Sequence, residues 1–273
     1  MPDIARLTAA NAARWDVLTL DLMHKLWPNG NAKVPGLLEG IVASAPVMFP
    51  KYGLTSPLLV AHAMAQFSHE CGAGLEVVEN LNYSAEGLIK TWPSHFDANK
   101  AASFAHQPQK IANAVYNGRM GNAAGSNDGW TYRGRGGAQT TGREGYQKVK
   151  DKTGIDVIGN ADLLIAPATF LECAVADFVI CGCLPFAQTD DVLGVTKRLN
   201  GGTIGLAQRQ AWLAKWKAAL AGAPSYSAPA KPAAPPSPVI PPSAPPSPPA
   251  APQASGWLQA LITLITSIFK PKG

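Results

Sequence analysis

The sequence predicts a mainly α-helical domain over residues 1–222, a disordered linker over 223–254 and an amphipathic tail helix over 255–273. Apolar residues recur at helical spacing through most of the first part. One glycine-rich stretch, residues 130–143, lacks this period and predicts a small β-hairpin or extended segment. At residue 223 the composition changes to Pro, Ala and Ser, which indicates that the folded domain ends there.

Helix positions follow from apolar spacing and from start and stop signals. An amphipathic first helix is predicted within residues 1–27. Later helices are predicted at 36–45, 57–70, 83–96, 107–117, 143–152, 166–184 and 205–220. The segment 166–184 approaches a membrane span in length, but Glu172 and Asp177 within it favour a core helix.

The helix that ends at Glu70 has the strongest start signal. Ser56 can cap free backbone N–H groups, and Pro57 suits the first helical position. Small and apolar residues fill the helix, which Gly72 and Gly74 are expected to end. Burial and the negative end of the helix dipole both oppose ionisation of a carboxyl group at this point. A carboxylic acid that stays protonated near neutral pH is the proton donor that glycosidic cleavage requires.

Glu79 is the candidate partner of Glu70. A continuous helix would separate the two residues by about 13.5 Å along its axis. The intervening glycines instead allow the chain to turn back, so that both carboxyl groups face one cleft. Inverting glycosidases hold two carboxyl groups roughly 6.5–9.5 Å apart. Spacing alone favours the alternative in which Glu70 forms a structural salt bridge and Glu79 is a surface acid.

Four motifs, in this order, resemble glycoside hydrolase family 19 and, more narrowly, its bacteriophage endolysins. They are AQFSHE at 65–70, ENLNYSAEGLIKTWPSHF at 79–96, YRGRGGAQTTGREGY at 132–146 and LNGGTIGLAQR at 199–209. The resemblance spans roughly residues 37–217. One departure is Gly145, which stands where the chitinases have asparagine, and it puts plant-type subsite detail in doubt.

The resemblance implies a lysozyme-like fold that hydrolyses β-1,4 bonds between N-acetylated amino sugars with inversion, without a cofactor or metal. It implies Glu70 as general acid, Glu79 as general base and Thr141 as the residue that helps to hold the attacking water. The substrate-binding residues that we expect beside them are His69, Tyr132, Arg135, Gln139, Asn200 and Arg209.

Other chemistries have weaker support. The four cysteines, Cys71, Cys173, Cys181 and Cys183, fit a reducing origin and lack zinc-site spacing. Cys71 beside Glu70 allows a thiol nucleophile, and His62 with His69 and a cysteine allows a zinc site, but small buried thiols usually serve packing. The glycine-rich segment lacks the Lys-Ser/Thr ending of a phosphate-binding loop.

Composition limits the partners. The net charge is +5 and only 15% of residues are charged. This balance fits approach to an anionic polymer or cell surface and fits an ordinary mildly basic enzyme equally well. The absence of a dense Lys/Arg run argues against nucleic acid. We expect a monomer whose main partner is the glycan strand of peptidoglycan.

The tail adds a membrane prediction. As a helix, residues 256–270 are apolar around most of their circumference, with Lys270 and Lys272 at the end. Fourteen or so residues give roughly 21 Å, short of a bilayer core of about 30 Å. We therefore predict a helix that lies in the membrane interface. Docking on the domain and self-association remain alternatives.

No signal peptide is recognised, so synthesis in a host cytoplasm and holin-dependent release to the periplasm are expected. The leading function is an endolysin with N-acetylmuramidase activity. A chitinase or a lytic transglycosylase on the same fold is the enzymatic alternative. A catalytically inactive wall-binding module is the alternative without activity.

Overall fold

The computed structural model describes residues 15–227. Residues 1–14 and 228–273 lie outside this range, and with them the start of the predicted first helix, nearly all of the predicted linker and the whole predicted tail helix. Between residues 15 and 227 the chain is helical and contains no β-strand. The predicted mainly α class is therefore confirmed.

Twelve α-helices occur in the described range. They are α1 Leu20–Leu26, α2 Leu37–Lys51, α3 Pro57–Glu70, α4 Ala85–Thr91, α5 Ala98–Phe104, α6 Pro108–Tyr116, α7 Asp128–Thr131, α8 Arg143–Thr153, α9 Phe170–Ile180, α10 Leu184–Gln188, α11 Val192–Asn200 and α12 Leu206–Ala219. Two short 3₁₀ helices, Gly72–Gly74 and Ala161–Leu164, connect longer elements.

Helix α3 is the centre of the fold. It begins as its sequence predicts, because the Ser56 hydroxyl accepts a hydrogen bond from the Leu59 N–H and Pro57 opens the first turn. Every residue from Leu59 to Ser68 is buried. The helices α9, α10, α11 and α12 pack around it. A helix that is buried on all sides is a rigid support for the residue at its end, Glu70.

Ser68 ties α3 to two distant tryptophans. Its hydroxyl accepts hydrogen bonds from the indole N–H groups of Trp27, at 2.8 Å, and Trp216, at 2.9 Å. It donates to the carbonyl of Met64 at 2.6 Å. Because both indoles are buried, this single oxygen satisfies two donors that have no access to water.

We expect Ser68→Ala to lower the free energy of unfolding by about 2–4 kcal/mol, since two buried N–H groups lose their acceptor. Urea denaturation measures this change. Ser44→Ala is the matched control, because Ser44 also donates to the carbonyl four residues earlier, that of Gly40. No described donor reaches the Ser44 hydroxyl, so Ser44→Ala should lower the free energy of unfolding by about 0.5 kcal/mol or less. Equal losses in the two variants would contradict the bridging role of Ser68.

The core divides into three clusters. The largest surrounds α3, a second joins α4, α5 and α6, and a third lies beneath α8. Trp92 belongs to the second cluster, where its ring packs against Tyr83 with centroids 5.0 Å apart. This packing agrees with a structural role for Trp92 rather than a sugar-facing one.

Several predicted boundaries change. The helix predicted at 166–184 is shorter, Phe170–Ile180, because Gly182 adopts a left-handed φ of 74° and the chain restarts as α10. The helix predicted at 83–96 ends at Thr91, and α5 and α11 were not predicted. These helices have seven and nine residues, too short for apolar spacing alone to identify.

The predicted β-hairpin or extended segment is present without a regular strand, and residues 136–139 form a turn. Two isolated antiparallel bridges form, between Val78 and Arg135 and between Arg135 and Thr140. The first residues of the stretch, 130 and 131, belong to α7 instead. Closely spaced glycines and a left-handed Gln139, with φ of 51°, prevent a regular ladder.

The folded domain continues past the predicted boundary at residue 222. The N–H of Tyr226 donates to the carbonyl of Thr55 at 2.8 Å, and the Trp15 indole donates to the carbonyl of Pro224 at 2.8 Å. Residues 223–227 therefore pack on the domain rather than belong to the linker. Among the helices of the described range, none combines the length and apolar character needed to cross a bilayer.

Candidate active site

An open cleft of about 740 Å³ carries the two predicted catalytic acids. We call it the acidic cleft. It is lined by Lys33, Val34, Glu70, Leu75, Glu76, Val77, Val78, Glu79, Asn80, Gln139 and Ile165. Glu70, Glu79 and Gln139, which the sequence singled out from separate motifs, thus meet on one surface.

Glu70 is the last residue of α3 and forms an ion pair with Arg209. The guanidinium donates to Oε1 at 2.6 Å and also to the side-chain oxygen of Gln66, one turn earlier on α3. The side chains of Glu70 and Arg209 are only 16% and 2% exposed. The salt-bridge alternative for Glu70 is therefore realised in the structure.

The chain turns back immediately after α3. Gly72, Ala73 and Gly74 all have positive φ, at 55°, 53° and 92°. A Cβ on Gly74 would lie 2.8 Å from the backbone of Gly30, so this turn packs directly on the segment that leads to Lys33. Glycine is needed here both for its φ and for this approach. The predicted return of the chain toward the cleft is confirmed.

Two donors hold the carboxylate of Glu79. The Tyr116 hydroxyl donates to Oε1 at 2.6 Å, and the backbone N–H of Gly134 donates to Oε2 at 3.1 Å. The N–H of Glu79 in turn donates to the carbonyl of Gly134 at 2.8 Å. Burial, followed by the charge of Glu79, raises the pKa of Tyr116, so its hydroxyl remains a donor. Glu79 is therefore a fixed, half-buried carboxylate and not a surface acid.

Gly134 is the point where the remaining candidate residues converge. A Cβ there would lie 2.7 Å from Gln139 Oε1 and 3.3 Å from both Glu79 Cβ and Thr141 Oγ1. Gln139 donates through Nε2 to the carbonyl of Glu76 at 2.8 Å, and Thr141 donates to the carbonyl of Gln139 at 2.8 Å. Amide and hydroxyl groups are thus fixed beside Glu79, where they can orient a water or a sugar hydroxyl.

Comparison with known proteins decides the family. No family model matches the chain. A protein of Haemophilus influenzae described as a glycosyl hydrolase family 19 domain-containing protein is 34% identical over 186 residues, which are 66% of this chain and 88% of that protein. The chain belongs to glycoside hydrolase family 19. It is a glycoside hydrolase of the lysozyme and chitinase type.

Solved structures of the same family are more distant. Chitinase C from Streptomyces griseus HUT6037 is 16% identical and covers 78% of this chain and 95% of its own, with a TM-score of 0.47. A bacterial family 19 chitinase is 18% identical and covers 77% of this chain and 98% of its own, with a TM-score of 0.48.

His69 and Asn200 of this family 19 hydrolase are not among the residues that line the acidic cleft. A Cβ on Gly205, whose φ is 73°, would overlap the His69 ring. Burial and the neighbouring Arg209 lower the pKa of His69, so its ring is neutral near pH 7. The Asn200 amide donates to the carbonyl of Ile204 at 3.2 Å. Asn200 therefore braces the loop that covers His69.

Tyr132 and Arg135, expected as substrate-binding residues of the hydrolase, are placed in the core instead. The Tyr132 ring packs against Tyr146 with centroids 5.1 Å apart, in the cluster beneath α8. The guanidinium of Arg135 donates to Asp162, to the carbonyl of Thr131 and to the Tyr146 hydroxyl. Both residues are only 6% exposed. They stabilise the glycine-rich segment from behind, because their polar atoms face inward.

The thiol and zinc hypotheses receive no support from the placement of their residues. Cys71 is fully buried, and this burial raises the pKa of its thiol to about 12, which keeps it protonated. The ring of His62 pairs with Asp190 at 2.9 Å. In the described range no three His, Cys, Asp or Glu side chains form a group that could hold a metal ion.

Sequence reasoning missed three residues of the site of this family 19 hydrolase. Gln66 had a usable signal, because it is an amide in an apolar helix one turn before Glu70. Tyr116 and Gly134 had none, since their roles depend on contacts with Glu79 across 37 and 55 residues.

Proposed function

We propose that this hydrolase is a bacteriophage endolysin that cleaves the β-1,4 bond between N-acetylmuramic acid and N-acetylglucosamine in peptidoglycan. The observation that carries the proposal is that Glu70 and Glu79 line one cleft. They do so with different partners, Arg209 for Glu70 and two neutral donors for Glu79. Two carboxyl groups that face one cleft can serve as the acid and the base of glycosidic cleavage. The four endolysin-like motifs add support for the biological role.

The proposed mechanism is a single displacement. Arg209 contacts Oε1 of Glu70, and no described donor reaches Oε2, so Oε2 is the oxygen that transfers a proton to the departing sugar oxygen. As the glycosidic bond breaks, a water forms the new bond to the anomeric carbon from the opposite face. Glu79 accepts the proton of this water, and Gln139 with Thr141 orients it. The anomeric configuration is inverted.

Lys33 supports peptidoglycan over chitin as the substrate. Among the described residues that line the acidic cleft it is the only cationic one, and its side chain is exposed. Chitin is neutral, whereas the peptide stems of peptidoglycan carry carboxylates. An exposed ammonium group at the cleft attracts such a carboxylate and favours the wall polymer.

Mass spectrometry of the products tests the proposal. Purified peptidoglycan and chitin are digested separately, and new ends are identified. Reducing N-acetylmuramic acid ends from peptidoglycan are expected, initially as the α-anomer by NMR, since inversion of a β-bond yields it. Anhydro ends would indicate a transglycosylase, and products from chitin alone would indicate a chitinase. Binding of walls without any product would indicate an inactive wall-binding module.

We expect Lys33→Ala to lower kcat/KM on peptide-bearing walls about 2- to 5-fold, which corresponds to an exposed charge contact of up to about 1 kcal/mol. Activity on neutral chito-oligosaccharides should not change. The difference on walls should shrink in high salt, which screens exposed charges. Lys148→Ala is a control that removes an exposed lysine of α8 outside the cleft. An equal loss on both substrates would contradict recognition of charge by Lys33.

The tail is proposed to bind membrane through residues 256–270, after holin-dependent release has brought the enzyme to the periplasm. A chain that ends after Ser227 tests this, because residues 223–227 pack on the domain and should be kept. It should digest purified walls at the rate of the full chain but bind anionic lipid vesicles much more weakly. It should also lyse intact Gram-negative cells less well. Equal vesicle binding by both chains would refute the proposal.

A further inference from the structure

A second groove lies among α5, α6 and the loop that leads into α7. It encloses about 840 Å³, a volume comparable to that of the acidic cleft, and no residue lines both. We call it the amide groove. Its lining includes Phe104, Gln107, Gln109, Asn113, Asn117 and Trp130. Aromatic rings combined with side-chain amides are suited to sugars, which present apolar C–H faces together with hydroxyl and acetamido groups.

Trp130 provides a fixed aromatic surface in this groove. The guanidinium carbon of Arg133 lies 3.6 Å from the Trp130 ring centroid, and Arg133 also donates to the Trp130 carbonyl at 2.8 Å. The backbone N–H of Trp130 donates to the side-chain oxygen of Asn113 at 2.9 Å. These contacts fix both the ring and its backbone, so that little conformational entropy is lost when a sugar stacks on it.

The amides of the groove are fixed in the same way. Gln109 and Asn113 both donate to the side-chain oxygen of Asn127, at 2.9 and 3.0 Å. Asn117 donates to the carbonyl of Ser126 at 2.6 Å. One N–H of each amide is thus used internally, and the carbonyl oxygen of Gln109 has no donor within the described part of the chain. It is available to accept a hydrogen bond from a sugar hydroxyl or acetamido N–H.

The amide groove shares two elements with the proposed base. Helix α6 carries Asn113 in the groove and ends at Tyr116, whose hydroxyl holds Glu79. The segment that follows Trp130 reaches Gly134, whose N–H holds the same carboxylate. A polymer bound in the groove is therefore attached to the elements that position Glu79.

We propose that the amide groove is a second glycan-binding site, which holds a strand of N-acetylated amino sugars while the acidic cleft cuts. The choice of peptidoglycan as the polymer rests on the proposed function. Because no residue lines both the groove and the acidic cleft, the site contributes on long or insoluble substrate that contacts both, rather than on a short oligosaccharide bound in the cleft alone. It therefore retains the enzyme on the wall between successive cuts and raises the local concentration of substrate.

The test measures wall binding apart from cutting. In a Glu70→Gln background, which prevents digestion, the double change Gln107→Ala with Gln109→Ala is compared with the parent for binding to purified insoluble peptidoglycan and to chitin beads. The dissociation constant on walls is expected to rise about 5- to 10-fold. Gln147→Ala is the matched control, since Gln147 is an exposed glutamine of α8 that pairs with Asp151 at 2.7 Å and lies outside the groove.

Activity of the double variant with Glu70 intact provides the second readout. Its rate on short soluble oligosaccharides should equal that of the wild-type chain, whereas its rate on insoluble walls should fall. Trp130→Ala, checked by its melting curve, should weaken wall binding further. Unchanged wall binding in both the glutamine double variant and a folded Trp130→Ala variant would overturn the proposal.

The two proposals can fail separately. Weaker binding by the groove variants in a chain that cuts no peptidoglycan would support the groove and refute the proposed function. Normal cleavage of peptidoglycan, together with unchanged wall binding by the groove variants, would support the proposed function and refute the groove. If the groove variants lose binding to chitin beads alone, the second site stands and its polymer is chitin.

Discussion

Glu70→Gln is expected to lower turnover of peptidoglycan by at least about 10²–10⁴-fold, because the amide cannot donate the proton that the departing sugar oxygen needs. The new glutamine keeps an oxygen that can accept from Arg209, but the negative charge of the Glu70 carboxylate is lost. As Arg209 is 1% exposed, the folded state should also lose about 1–3 kcal/mol. Initial rates on purified walls and urea denaturation give the two quantities.

The control for this variant is Glu76→Gln. Glu76 lines the same cleft with an exposed side chain, so its substitution removes an equal charge without touching Arg209. Its rate should stay within about 3-fold of the parent, in line with the small effect of an exposed charge. If Glu70→Gln kept more than a tenth of the parent rate, Glu70 would not be the acid.

Glu79→Gln should lower turnover by about 10²–10⁴-fold, since a neutral amide cannot accept a proton from water. Glu79→Gln should change the free energy of unfolding only slightly. The Gly134 N–H can only donate, so the new amide oxygen faces Gly134 and the new NH₂ group faces Tyr116, whose hydroxyl can rotate to accept. Single-turnover rates on walls, together with melting curves, separate the two effects.

Tyr116→Phe gives a graded comparison for Glu79. It leaves the carboxylate in place but removes the donor to Oε1. A smaller loss of about 10-fold is expected, because one of two positioning bonds is lost and the base remains. If Glu79→Gln and Tyr116→Phe lost equal activity, Glu79 would act through position rather than as a base.

Local signals explain which parts of the site were predictable. The start of α3 at Ser56 and Pro57 depends on capping, which involves neighbours in the chain. The turn after Glu70 depends on Gly72 and Gly74, since glycine adopts a positive φ at little cost. These two features allowed a return of Glu79 toward the cleft to be predicted, beside the alternative of a surface acid.

The sequence could not predict which polar residues of one motif face the cleft and which face the core, because this depends on the direction of each side chain. Gln139 lines the acidic cleft, whereas Arg135 in the same motif is buried against Tyr146. Both are polar residues in a glycine-rich segment without regular period, so no pattern assigns a face to either.

The sequence by itself determined the helical class, the position of Glu70 at a helix end and the turn that follows, because each depends on residues within a few positions of one another. Only the tertiary structure decided that Arg209 pairs with Glu70 across 139 residues and that Tyr116 and Gly134 hold Glu79. It also decided that residues 223–227 pack on the domain. Periodicity shows that a helix has a face to bury, but which distant segment covers that face depends on the packing of the whole chain.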